Sequence, residues 1–143
     1  MAIRAFEPSD YEALIALWER AGLEHKPTGR DAREALCASV SQACVALFVA
    51  EREGQLVGSV LATHDTRRGW INRLAIDPSH QRRGLARQLV RRAEELLFTQ
   101  EGLEIVSCVV YQHNQPSLSL FQGLDYVLVE DVRYLSKRLR PDA

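Results

Sequence analysis

Long hydrophobic runs are missing from this sequence. The longest, Ala43 to Ala50, is eight residues, well short of the ~20 that a membrane-spanning helix needs, so no membrane segment is expected. The first ten residues carry Arg4, Glu7 and Asp10 and no apolar stretch, which speaks against a secretory signal and leaves the cytoplasm as the expected location. Cysteine is scarce: Cys37, Cys44 and Cys108 are odd in number, form no C-x-x-C pair and sit among apolar neighbours. That pattern excludes a disulfide framework and reads as three reduced core residues. Excess charge of one sign is also missing, with 18 Lys+Arg against 19 Asp+Glu and a net charge of −1. A chain whose main role is neutralising a nucleic-acid backbone is therefore disfavoured, and any anion site must be local. The sequence contains neither the dinucleotide pattern G-x-G-x-x-G nor the P-loop pattern G-x-x-x-x-G-K. His25, His64, His80 and His113 show no ligand spacing, and no metal is expected.

What is present suits one globular domain. A chain of 143 residues, 46% hydrophobic and 26% charged, is read as one domain, 1–143, long enough to build a core without disulfides or a structural metal. No repeat, linker or low-complexity stretch interrupts it. Met1 to Phe6 reads as a strand. Pro8-Ser9-Asp10 supplies turn and cap residues before Tyr11, Leu14, Ile15, Leu17 and Trp18, an apolar stripe at helical spacing that ends near Gly22. A weaker helix runs from Ala32 to about Ser41, after a loop holding His25, Lys26 and Pro27. Val45–Arg52 and Leu56–Thr63 flank the turn Glu53-Gly54-Gln55 as a hairpin, and Trp70–Ile76 adds a third strand that stops at Asp77-Pro78. Helical spacing returns from Gly84 to Gln100. A strand at Ile105–Tyr111, a helix at Pro116–Gly123 and two closing strands at Tyr126–Val129 and Arg133–Ser136 complete the order βααβββαβαββ. The strand–helix–strand step through Gly84–Gln100 implies one parallel crossover in an otherwise antiparallel sheet, hence an α+β fold with a mixed, mainly antiparallel sheet and helices on both faces.

The stretch from Leu74 to Ala86, LAIDPSHQRRGLA, carries the chemistry. It runs from a strand through a turn into a helix start bearing arginine and glycine. The first turn of a helix exposes unpaired N–H groups and the positive end of the helix dipole, which suit a phosphate. Gly84 permits positive φ, and Arg82, Arg83 and Arg87 concentrate cationic donors there. Arg83, Arg87 and Arg91 equally fit a solvated helix face partnered by Glu94 and Glu95. The Arg82–Arg92 cluster lacks the interleaved aromatics of a nucleic-acid-binding surface.

QRRGLA at Gln81 to Ala86 resembles the Q/R-x-x-G-x-G/A signature of the GNAT superfamily of N-acetyltransferases, and the preceding strand and D-P turn resemble its usual context. The inferred element order from Ile3 to Leu139 is similar to the fold of that family. The resemblance implies that the strand at Leu74, Ala75 and Ile76 pairs with the pantetheine arm of acetyl-CoA. It also implies that Gln81, Arg82, Arg83, Gly84, Leu85, Ala86 and Arg87 wrap the pyrophosphate, and that Asn114 and the helix holding Phe121 flank the pantetheine and thiol. Asn114 also reads as a helix N-cap. By the same resemblance the activity is acetyl transfer from acetyl-CoA to a primary amine, small-molecule or protein-borne, by direct attack in a ternary complex.

Two departures bear on catalysis. The tyrosine that many such enzymes use to protonate the leaving thiolate is here Phe121, which has no hydroxyl. Tyr111 or a water is the replacement to consider, although Tyr111 also reads as an interfacial packing aromatic. The strand WINRLAI offers no competent base, which leaves His64 and Asp65 as the nearest titratable groups by sequence; both also read as ordinary polar turn residues. These departures keep a second reading open, an acyl-CoA-binding or sensing module with weakened catalysis. Val127–Leu139 reads either as closing strands or as an edge through which a homodimer pairs.

Overall fold

The computed structural model describes all 143 residues. Five strands form one sheet in the order β1-β2-β3-β4-β5: Ala2–Ala5, Val45–Arg52, Gln55–His64, Gly69–Ile76 and Val106–Cys108. The first four run antiparallel to their neighbours and β5 runs parallel to β4. Between β2 and β3 the two-residue turn Glu53-Gly54 has both φ angles positive, 52° and 80°, the backbone that matches strand twist in a tight hairpin.

Alternation along β2 builds two cores. Leu47 and Val49 join Leu14, Leu17 and Trp18 of α1 (Tyr11–Ala21) and Leu36 of α2 (Arg33–Val40) on one face. Phe48 and Ala50 join Leu85, Leu89, Val90 and Ala93 of α3 (Leu85–Glu94) and Phe121 of α4 (Gln115–Gly123) on the other. Helices thus cover both faces, as expected. The contact of α3 with the sheet is close because β3 presents a glycine: a Cβ on Gly58 would lie 2.8 Å from Leu89 Cδ1. Past Glu94 the helix widens to a π-helical turn over Glu95–Gln100, and Gly102, at φ +68°, turns the chain toward β5.

The end of the chain departs from expectation. Strand β5 is three residues long rather than spanning Ile105–Tyr111, because only Val106–Cys108 pair with β4. Neither Tyr126–Val129 nor Arg133–Ser136 enters the sheet, which ends at β5. β-propensity alone does not make a strand, which needs a ladder partner: Tyr126 packs against the α3-side core, and the aliphatic side chains of the two segments stay in solvent, Val127 at 85% and Leu135 at 85% exposure. All three cysteines are free; Cys37 and Cys108 are half-buried, but Cys44 is exposed and is not a core residue. No helix is long and apolar enough to cross a membrane.

Candidate active site

The sheet opens between its two parallel strands. Pairing of β4 with β5 stops at Ile71–Cys108, whereas β4 continues to Ile76. The outer edge of Asn72–Ile76 therefore has no strand partner, and Leu74, Ala75 and Ile76 all lie on it. The opening coincides with a bulge in β4. Ser59 pairs with Ala75 and Leu61 with Asn72, so Arg73 and Leu74 together oppose Val60, and Arg73 takes φ +53°.

Directly after this edge the chain prepares a helix start. Asp77 accepts hydrogen bonds from the Ser79 N–H at 2.9 Å and the Ser79 hydroxyl at 2.6 Å, and a salt bridge from Arg20 at 2.9 Å. These donors hold its carboxyl well below the usual carboxylate range, the Ser79 hydrogen bonds being the larger cause and Arg20 the lesser. Arg82 at φ +64° and Gly84 at φ +77° then turn the backbone into α3. No side chain caps this helix. The N–H groups of Gly84, Leu85, Ala86 and Arg87 find no acceptor within the chain. A Cβ on Gly84 would meet nothing within 4 Å, and Gln81, Arg82 and Arg83 are exposed. Free donors, the positive helix end and open space in front of them fit a pyrophosphate.

The remaining predicted residues divide. Asn114 caps α4, its side-chain oxygen accepting from the Ser117 N–H at 3.3 Å, which leaves its amide nitrogen without an acceptor. Phe121 is buried, set edge-on to Tyr126 with centroids 5.0 Å apart, so it belongs to the α3-side core. Arg87 turns its guanidinium toward Gly123 in α4, so only its backbone addresses the helix start. Tyr111 stands three residues beyond the last β4–β5 pair, 68% exposed, stacked on His113 and with no partner for its hydroxyl. Tyr126 is engaged elsewhere: its hydroxyl donates to Glu94 at 2.7 Å, and burial, with Glu94 adding to it, holds its proton more tightly than in a free phenol. His64 and Asp65 are not brought to the site. His64 pairs with Gly69 at the opposite end of β4 from Leu74–Ile76, its Nε2 buried toward Glu101 at 3.7 Å, and Asp65 caps the adjacent turn through the Arg67 and Arg68 N–H groups.

Sequence reasoning missed Arg73. Its guanidinium meets Asp31 at 2.6 Å, donates to the Glu24 carbonyl and lies 5.1 Å above the Trp18 ring. The available signal was an arginine in the middle of an apolar strand.

A mixed sheet that parts between parallel strands, with an uncapped helix start beside the opening, is the arrangement that the resemblance to the N-acetyltransferases implies. Solved structures agree: a putative acetyltransferase from Agrobacterium tumefaciens superposes with TM-score 0.80 at 20% identity over 96% of this chain and 100% of that one. An aminoglycoside acetyltransferase, AAC(6')-Iy, solved with a bisubstrate analogue of CoA and acetylneamine, superposes with TM-score 0.79 at 20% identity over 96% and 97%. The model of the acetyltransferase (GNAT) family matches residues 11–126. An acetyltransferase of Sodalis glossinidius is 31% identical over 142 residues, covering 99% of this chain and 98% of that protein. One of Pectobacterium atrosepticum is 32% identical over the same shares. The chain belongs to the GNAT acetyltransferase family.

Proposed function

We propose that this protein transfers the acetyl group of acetyl-CoA to a primary amine, small or protein-borne, by direct attack in a ternary complex. The observation that carries the reading is the unpartnered edge of β4 at Asn72–Ile76 next to the uncapped start of α3. Acetyl-CoA, when bound, supplies an activated thioester. The chain's own residues do the rest. The free backbone of Leu74–Ile76 pairs with an extended amide-bearing arm as an added strand does, and an N–H on that edge polarises the thioester carbonyl. The N–H groups of Gly84–Arg87 receive the pyrophosphate, with Arg82 and Arg83 adding charge. The free amide nitrogen of Asn114 donates to the same arm.

Direct attack fits the cysteine chemistry. Burial pushes the Cys108 thiol up to about 11, so at neutral pH it is protonated and a poor nucleophile. Tyr111 is the proton donor to the leaving thiolate, being exposed three residues past the point where β4 and β5 part and having its hydroxyl free, whereas Phe121 has no hydroxyl and Tyr126 is held by Glu94. The amine's proton leaves to solvent. A cytoplasmic setting supplies both acetyl-CoA and the reducing conditions that suit three free thiols.

Calorimetric titration with acetyl-CoA, coupled to assays of CoA release with a panel of small amines and N-terminal peptides, tests this. Saturable binding with amine-dependent release is expected. Binding without release from any acceptor would favour a sensing module, a reading that the buried, hydroxyl-free Phe121 supports, and absence of binding would overturn the site.

A further inference from the structure

We propose that the Arg73–Asp31 ion pair is a positioning clamp, fixing the bulge of β4 and the α1–α2 loop in one geometry so that this loop responds to what binds along β4. The proposal rests on the acetyl-transfer reading, in which β4 takes acetyl-CoA.

Both charges are buried, at 14% side-chain exposure for Arg73 and 6% for Asp31. Replacing a buried ion pair with apolar groups is often neutral or stabilising, so such a pair is weak evidence for stability and its better-attested value is in fixing geometry. Each end here is held from several sides. The Arg73 carbonyl accepts from the Ser59 hydroxyl at 2.9 Å, and Ser59 accepts from the Trp18 indole N–H at 2.9 Å, beneath the same indole that carries the guanidinium. Asp31 accepts from the Lys26 N–H at 2.7 Å, and its carbonyl accepts from the Tyr11 hydroxyl at 2.6 Å.

Beyond His25, whose ring lies 6.2 Å from that of Trp18 and 3.9 Å from the Glu19 carboxylate, the loop has few other anchors. Hydrogen bonds from residues 24–32 to elements outside the loop and its flanking helix turn run through Arg73, at the Glu24 carbonyl and the Asp31 carboxylate, or through Tyr11. Arg73 meanwhile occupies a left-handed backbone conformation, which an L-residue adopts at a cost that glycine would avoid. A strained backbone and a desolvated charge at one residue, at the point where β4 opens, mark a place where the side chain's reach matters more than local comfort.

Hydrogen exchange of the segment 24–32, with and without saturating acetyl-CoA, reads the clamp directly. In the wild-type protein acetyl-CoA is expected to slow exchange there by about threefold or more. In Asp31→Asn the loop should exchange roughly tenfold faster and no longer respond, while the acetyl-CoA Kd stays within about threefold. Arg73→Lys, which keeps the cation, should retain part of the response that Arg73→Gln loses; a merely structural pair would lower stability in both and leave the response intact. An Asp31→Asn loop that responds as wild type does, or a wild-type loop indifferent to bound acetyl-CoA, overturns the clamp. Failure of the wild type to bind acetyl-CoA overturns the functional reading, and the clamp's role in it falls too. Should Asp31→Asn not fold, Tyr11→Phe decides: a weakened loop response supports the clamp and an unchanged one refutes it.

Discussion

The indole N–H of Trp18 donates to the Ser59 hydroxyl at 2.9 Å, and both side chains are wholly buried between α1 and β3. The Ser59 hydroxyl in turn donates to the Arg73 carbonyl. Ser59→Ala removes one small group and leaves a buried donor and a buried acceptor unmatched, which costs about 1–3 kcal/mol for each orphaned group. We expect urea denaturation to show a loss of about 2–4 kcal/mol with an unchanged slope.

Gly84 tests the helix start. Its φ of +77° disfavours any Cβ, although space is open around it. Gly84→Val should lower stability by about 1–2 kcal/mol, a backbone effect. It should weaken acetyl-CoA binding by more than about tenfold, because the backbone N–H groups lose their alignment. Calorimetry on the folded variant separates the two, and wild-type affinity would remove Gly84 from the site.

Acid should loosen the turn before α3. The Asp77 carboxyl is held below its ordinary value of 3.8 by Ser79 and then Arg20, so in the folded protein it stays ionised to lower pH than in the unfolded chain. Its contribution to stability is therefore present above the unfolded value and is lost as pH falls through the lower folded one. Asp10, held down chiefly by its hydrogen bonds from Arg4, has the same sign. Melting curves should change little from these groups above about pH 5 and fall below about pH 4. The fall should be shallower in Asp77→Asn, which starts lower at neutral pH; equal slopes in both proteins would refute this assignment.

Tyr111 and Tyr126 should separate in kinetics. Tyr111→Phe is expected to lower kcat by about tenfold or more while leaving acetyl-CoA binding intact, since a positioned acid contributes ~10²–10⁴-fold and a thiolate already leaves moderately well. Tyr126→Phe should leave kcat within about twofold, because its hydroxyl is committed to Glu94, and should reduce stability by about 1 kcal/mol. An unchanged rate in Tyr111→Phe would assign the proton to water.

Most of the frame was legible because alternation and helical spacing are strong over Val45–Ile76 and Leu85–Leu97, and because Gly84 follows a strand and D-P turn. The bulge was the harder part. Strict alternation in WINRLAI would put Arg73 on the same face as Ile71, inside the α3-side core; the extra residue lets Arg73 point to Trp18 while Leu74 and Ile76 join that core. An arginine out of phase was the visible sign, but its partner Asp31 is 42 positions away, and no local pattern names it. Tyr126–Val129 departs for the opposite reason: local β-propensity is high there, and the missing ingredient is a strand neighbour. His64 is close to β4 in sequence, yet an antiparallel strand places its own end beside the start of the next, so His64 pairs with Gly69 and not near Leu74–Ile76.

Arg73 also constrains how this protein can change over generations. Glycine or asparagine would relax its backbone at φ +53°, but neither brings a positive charge to Asp31; lysine keeps the charge but not the planar fork or the stacking on Trp18. Each single replacement thus improves one property and forfeits another, so the two positions are expected to be inherited as a unit, and descendants that abandon one should have abandoned both.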